Sequence, residues 1–489
     1  MPERHSTSEA VYHPIPQAPV ASNTIPPSSP DVEVDEGLGP SIVHSHVTVD
    51  SRIRWIHFLL GCAVLLPWNV MITATPYFLS RLEGSSVKGT FSSYLSTAFT
   101  IPNLLFLAHA TATSKKASNT RRVLSALGFL AALSFMLTLS TYMHPAAGGF
   151  TAFVLLNAVG QAAAGSYLQT AVVAVASQFG PVAMQAVMSG QAAVAVAISG
   201  VQVMSALASV RGVSPQQVVL SSEPAERSAF VFFGLSTAFL IVCAAVQMWL
   251  VSLPAYKNVV AHKATHGQLD TPEESALLEA SGADPDDRSF RKEDEKHHVI
   301  RIAKTNKVYE IAVSYVFVVT LAVFPPITIS VQPTSPLVHP LVFSAVHFLM
   351  FNIGDFTGRS ICSLPRLHVW SARRLLSLSL LRTLFIPVFL MCNVQWASVS
   401  STSRGPLINS DFLFMLIVLL FGVSNGYVSS MCMMAAPSLA HNPRLKGRAE
   451  DVDVAATVAS FCLVTGLALG AMLSFGVRAL VCDCNPFIS

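Results

Sequence analysis

Residues 54–79 read RWIHFLLGCAVLLPWNVMITATPYFL, a run whose single Lys or Arg stands at its first position and which contains no Asp or Glu. About 20 predominantly apolar residues are what an α-helix needs to cross a hydrocarbon core about 30 Å thick. Inside lipid no water satisfies backbone amides, so a crossing segment of this kind must be helical. Similar runs follow at 90–113, 123–143, 150–178, 182–208, 228–253, 307–331, 337–363, 373–395, 408–436 and 452–480, which predicts eleven spans of an all-α polytopic membrane protein. The junction Phe179-Gly180-Pro181 separates the fourth span from the fifth.

Composition agrees with that class. Of 489 residues, 52% are hydrophobic and 12% charged, against about 25% charged in soluble domains. A net charge of +3 is too mild to indicate a nucleic-acid partner. The eight cysteines are scattered mostly through apolar segments without metal-ligand or CxxC spacing, and they read as small packing residues.

The polar segments organise the chain. Residues 1–51 hold eight prolines and almost no apolar run, a composition that predicts a disordered cytosolic tail. The polar stretch 254–306 predicts a flexible cytosolic linker between a six-helix bundle at 52–253 and a five-helix bundle at 307–489. With the N-terminus cytosolic, 22 of the 30 Lys and Arg fall in inner segments and five in outer ones, while Arg359, Arg382 and Arg478 lie within spans. That asymmetry follows the positive-inside rule and supports both the count and the orientation. Within the linker, Glu273-Glu274-Ser275-Ala276-Leu277-Leu278 fits an acidic dileucine pattern. It points to a sorting adaptor as a partner and favours a vacuolar or lysosomal-type membrane over the plasma membrane.

One carboxylate stands apart. Asp355 lies well inside the eighth span, in Phe351-Asn352-Ile353-Gly354-Asp355-Phe356-Thr357-Gly358-Arg359, whereas the other Asp and Glu fall in tails, loops or near span ends. An ionised group at mid-membrane costs about 3 kcal/mol on insertion scales and needs a partner. Arg359, four residues on, shares its helix face. Phe348, Asn352, Asp355 and Arg359 form one stripe, an aromatic residue beside three polar ones. The stripe suits a heterocycle bearing hydroxyls; an ion pair that locks helices or gates the pathway is the competing reading, and the two are compatible.

Other spans add polar groups. Pro67 and Pro76 bend the first span and free carbonyls, and Trp68 beside Asn69 offers a stacking face next to an amide. Gln161, Gln169, Gln185 and Gln191 bring amides that must find partners within the fourth and fifth spans, and some of them are expected to line the pathway. The Gly and Ala around them suit close helix packing. In the tenth span, Phe421-Gly422-Val423-Ser424-Asn425-Gly426-Tyr427 predicts a polar break of the kind at which carriers flex. There is no GxSxG, HExxH or Walker loop and no intramembrane carboxylate pair, so neither an enzyme nor a cofactor or metal is expected.

Four motifs in order then carry a resemblance. Leu65-Leu66-Pro67-Trp68-Asn69 with Ile72-Thr73-Ala74, Met188-Ser189-Gly190-Gln191, Phe351-Asn352 with Asp355 and Gly358-Arg359-Ser360, and Ser424-Asn425-Gly426-Tyr427 resemble the equilibrative nucleoside transporter family. The resemblance extends from residue 52 to the C-terminus. It implies a major-facilitator-like arrangement of six plus five helices, working by alternating access on nucleosides such as adenosine and uridine, facilitatively or with protons. It also implies a central site at Trp68, Asn69, Phe348, Asn352, Asp355 and Arg359. Ala164 stands where several animal members carry a glutamine, so that base contact is either missing or supplied by Gln161 or Gln169; this form of the span looks more like fungal or plant members. Membrane lipid is a further expected partner. The alternatives are a proton-coupled carrier of another small polar solute, with Asp355 as its proton site, and a non-transporting receptor or scaffold.

Overall fold

The structure, a computed structural model, describes residues 50–85, 87–88, 90–114, 118–210, 223–259, 285–335, 338–394 and 406–482. The expected tail, apart from its last two residues, and the pattern at 273–278 lie outside the described residues. Helix α1 (Ser51–Thr73) opens where Asp50 accepts a hydrogen bond from the Arg52 amide at 3.0 Å, satisfying one of the free N–H groups of its first turn. It gives way at Ala74 to α2 (Thr75–Arg81). Pro76 accounts for the break, because a proline ring collides with the carbonyl four residues earlier, here Ile72.

The first bundle continues with α3 (Phe91–Ala112), α4 (Asn119–Ser140), α5 (Ala147–Gln178), α6 (Pro181–Val210) and α7 (Glu223–Ser252). Gly180 reverses the chain between α5 and α6 at φ +86°, a left-handed backbone that glycine adopts without a Cβ clash. The fourth and fifth spans are therefore separate, as expected. The second bundle comprises α8 (Pro285–Val323), α9 (Pro340–Ile361), α10 (Ala372–Leu381), α11 (Phe385–Leu390), α12 (Asp411–Ala435) and α13 (Val452–Cys482).

Among the described residues, nine helices are long and apolar enough to cross a membrane. The segments 91–112 and 372–390 occupy the other two expected positions. Ser92, Ser93, Ser96, Asn103 and His109 dilute the first, and a 3-10 turn at Arg382–Leu384 breaks the second between α10 and α11.

Two expectations are corrected. The linker was expected to run to residue 306, but α8 begins at Pro285. Its stretch near Ile302 packs with Leu445 and Val454, and Arg301 binds Asp451 at 3.1 Å, so tertiary partners stabilise a polar helix that hydropathy alone would not reveal. The expected break at 421–427 is absent: α12 is continuous there. Its glycines serve packing instead. A Cβ on Gly426 would collide with the Asp355 carbonyl and one on Gly358 with the Val423 carbonyl, so α9 and α12 cross with backbones in contact.

The helix ends sort into two faces. One carries Arg122 bound to the Ala110 carbonyl at 3.2 Å, Arg301 on Asp451, and His441 stacked on Trp370. We term it the basic face. The other carries Arg81 paired with Glu226 at 2.9 Å and Thr334 bound through its amide to Asp411 at 2.8 Å. The bundles meet along a seam in which α6 packs against α9 and α12, and α13 packs against α5 and α3.

Candidate functional site

The site is built on α9, whose start is fixed by Pro340 and by His339 Nδ1, which accepts from the Leu341 amide at 3.2 Å. One turn separates Asp355 from Arg359, and Arg359 Nε donates to Asp355 Oδ2 at 2.8 Å. Both residues are buried. The other carboxylate oxygen accepts from Asn425 Nδ2 of α12 at 2.6 Å. Asn425 Oδ1 in turn accepts from the Thr320 hydroxyl of α8 at 2.8 Å, and that hydroxyl accepts from Arg382 Nη2 at 2.8 Å. Arg382 also donates to the Phe421 carbonyl at 3.0 Å and to Ser424.

Arg382 is thus the far end of a relay that fixes Asp355. It is 2% exposed, and its guanidinium lies 4.5 Å from the centroid of the Phe421 ring, a cation–π contact. Sequence reasoning assigned it no role. The available signal was an arginine within the apolar run Leu380-Leu381-Arg382-Thr383-Leu384, since charges inside spans mark function or pairing.

The α9 stripe also reaches the first bundle. Arg359 Nη1 donates to the Met188 carbonyl at 3.0 Å, Gln185 Nε2 donates to the Arg359 carbonyl at 3.1 Å, and Asn352 Nδ2 donates to Ser199 Oγ at 2.6 Å. A further bond, Gln169 Nε2 to Ser460 Oγ at 2.9 Å, joins α5 to α13. Gln169 and Gln185, both expected to need partners, find them across the seam.

Phe348 belongs to an aromatic cluster. Its ring is 5.0 Å from Phe324 and 4.4 Å from His347, while Phe324 stacks on Phe351 at 4.3 Å. Trp68, Asn69 and Gln161 stand in the first bundle. The Trp68 indole packs on Phe99 at 4.7 Å, Asn69 donates to the Leu65 carbonyl at 2.9 Å, and Gln161 donates to Asn157 Oδ1 at 2.7 Å. Among the described residues, no hydrogen bond or ring contact joins these three to the α9 stripe. Helix α6 packs against both α1 and α9, so the candidates form two walls with α6 between them. Gln161 is buried against Met71 of α1, its Nε2 3.6 Å from the Met71 sulfur.

Asp355 is not the only carboxyl inside the helices. Glu310, expected near a span end, is 7% exposed, on the part of α8 against which α13 packs.

A family model described as "Nucleoside transporter" matches residues 151–479, about two thirds of the chain. The chain is 28% identical to equilibrative nucleoside transporter 1 of Rattus norvegicus over 476 residues, covering 87% of this chain and 96% of that protein. It is 28% identical to equilibrative nucleoside transporter 2 of Homo sapiens, covering 87% and 96%. With nucleoside transporter FUN26 of Saccharomyces cerevisiae it shares 27% identity, covering 86% and 82%. Among solved structures, the E. coli fucose:proton symporter FucP matches at a TM-score of 0.51 and 14% identity, covering 88% of this chain and 94% of that one. That likeness is one of fold, an all-helical arrangement shared along most of both chains.

Proposed function

The chain belongs to the nucleoside transporter family, and from that membership we propose that it moves nucleosides across a bilayer by alternating access of its two bundles. The observation that carries the mechanism is the polar stripe Asn352, Asp355 and Arg359, whose members bond across the seam to Ser199 and Met188. Buried polar groups at the boundary between two rigid bundles are where a midplane substrate site and a moving interface coincide.

In this reading, Asp355 is oriented by Arg359 and Asn425 and keeps lone pairs for ribose hydroxyls, because a carboxylate offers about four acceptor positions. Arg359 keeps N–H groups for a substrate oxygen. Trp68 and Phe348 supply ring faces from the two walls. The bonds Gln169–Ser460 and Arg359–Met188 hold the bundles together and must part when the seam opens. The transporter family and the polar seam weigh against a scaffold, for which these buried groups would be unexplained.

Uptake of labelled adenosine and uridine by purified protein in liposomes tests the proposal. Saturable uptake is expected, and Asp355→Ala is expected to insert normally yet lose it. Full uptake by that variant would sink the assignment of Asp355. From the pattern at 273–278 we further propose a vacuolar or lysosomal-type membrane. Tagged protein that remained at the cell surface would count against that location.

A further inference from the structure

Glu310 has an environment unlike that of Asp355. Both oxygens of Asp355 are held, one by a guanidinium. The Glu310 side chain is 7% exposed, and its buried Oε1 has no hydrogen-bond partner. Its position follows from helix packing. Gly466 of α13 sits against the Ser314 carbonyl of α8, and the two helices run in the same direction, since the Arg301–Asp451 pair precedes that contact on both. One turn back along each are Glu310 and Cys462. Nine residues separate Arg301 from Glu310, about 13 Å of helix.

Among the described residues, no cation pairs with Glu310. On α13 the register set by Gly466 and Ser314 places Cys462 beside it. Cys432 of α12 and the Arg444 guanidinium lie by Tyr309 instead, the latter 6.0 Å from its ring centroid. Arg373 and Arg374 of α10 are exposed, as is Lys307 one turn earlier on α8. His109 of α3 bonds the Tyr167 hydroxyl at 2.7 Å. A lone carboxylate so enclosed is strongly disfavoured against the neutral acid.

We propose that Glu310 is a proton-binding site, protonated while α13 packs against α5 and deprotonated when the basic face opens. Helix α13 links the two events, because Ser460, which binds Gln169 across the seam, lies two residues before Cys462. When α13 leaves α5, water enters from the basic face and accepts the proton from the Glu310 carboxyl, leaving a hydrated carboxylate; no other bond changes. The cation taken up is a proton, and the carboxyl that takes it is Glu310 in place of Asp355. The coupling rests on the transport reading above, whereas the proton site itself does not.

Two measurements on full-length protein in liposomes test this. Infrared difference spectra across a pH step between about pH 5 and about pH 8 should contain a protonated-carboxyl band that Glu310→Gln abolishes and Asp355→Asn retains. Initial uptake of labelled adenosine should vary severalfold over that range in the wild type and less than about twofold in Glu310→Gln, whose amide mimics the neutral acid. A band that persists in Glu310→Gln, or a variant whose pH profile follows the wild type, would overturn the proposal. Absence of adenosine uptake by the wild type would instead overturn the transport reading, with the infrared band still deciding the proton site.

Discussion

Arg359 donates through Nη1 to the main-chain carbonyl of Met188 at 3.0 Å, so one residue both neutralises Asp355 within the second bundle and ties that bundle to the first. In the proposed mechanism, the substrate-binding and gating roles that the sequence leaves in competition would fall on the same guanidinium. A charged side chain bonded to a carbonyl across a seam can be released at little cost only if another polar group, such as a substrate oxygen, replaces that acceptor.

Arg359→Lys should lower adenosine uptake about tenfold or more, because an ammonium cannot reproduce the fork that reaches Asp355 and Met188 together. Initial rates in liposomes, normalised to inserted protein, check this. A rate equal to wild type would remove Arg359 from the transport cycle.

Gln169→Leu and Ser460→Ala each break the same seam hydrogen bond and should weaken closure of the basic face by about 0.5–1.5 kcal/mol. Alkylation of Cys462, read by mass spectrometry, should become faster in both single variants. The double variant should add little to either, since the two residues form one interaction. Additive effects would mean that they act separately.

Gly358→Ala and Gly426→Ala should each lower the thermal midpoint in detergent. Their methyl groups would meet the Val423 and Asp355 carbonyls, and overpacking of this kind costs about 1–3 kcal/mol or more. Gly165→Ala is the control, because nothing lies within 4 Å of the added Cβ. Equal midpoints in all three would contradict the close α9–α12 crossing.

Arg382→Leu should destabilise the second bundle by about 3–5 kcal/mol, the usual consequence of removing one member of a buried charged network. Thr320, Ser424 and the Phe421 carbonyl would lose their donor. Thr320→Val, which cuts the relay to Asn425 but keeps the arginine, should cost about 1–3 kcal/mol. A chemical-unfolding series that ranked Thr320→Val above Arg382→Leu in cost would refute the relay as drawn.

The Asp355–Arg359 pair was legible from its spacing, because i and i+4 share a helix face whatever surrounds them. Its partner Asn425 was visible only as part of a motif, and its link through Thr320 to Arg382 crosses two further elements. The burial of Glu310 was not legible for a related reason. Its burial comes from α13 packing on α8, and the polar stretch of α8 before it is held by Asp451 and by Leu445 and Val454, which come much later in the chain. The glycines of α12 suggested flexibility and proved to be contact points, a distinction that requires knowing what approaches them.

What the sequence by itself determined is the membrane class, the approximate placement of the spans and the polar stripe on α9. Lipid permits one backbone solution for a long apolar run, and helical periodicity then aligns side chains without reference to any other segment. Only the tertiary structure decided which polar group satisfies which, that α6 stands between the Trp68 wall and the Asp355 wall, and that Glu310 lies buried with its Oε1 unpartnered among the described residues. Those outcomes depend on helices distant in sequence approaching within hydrogen-bond reach, and no local pattern encodes such distances.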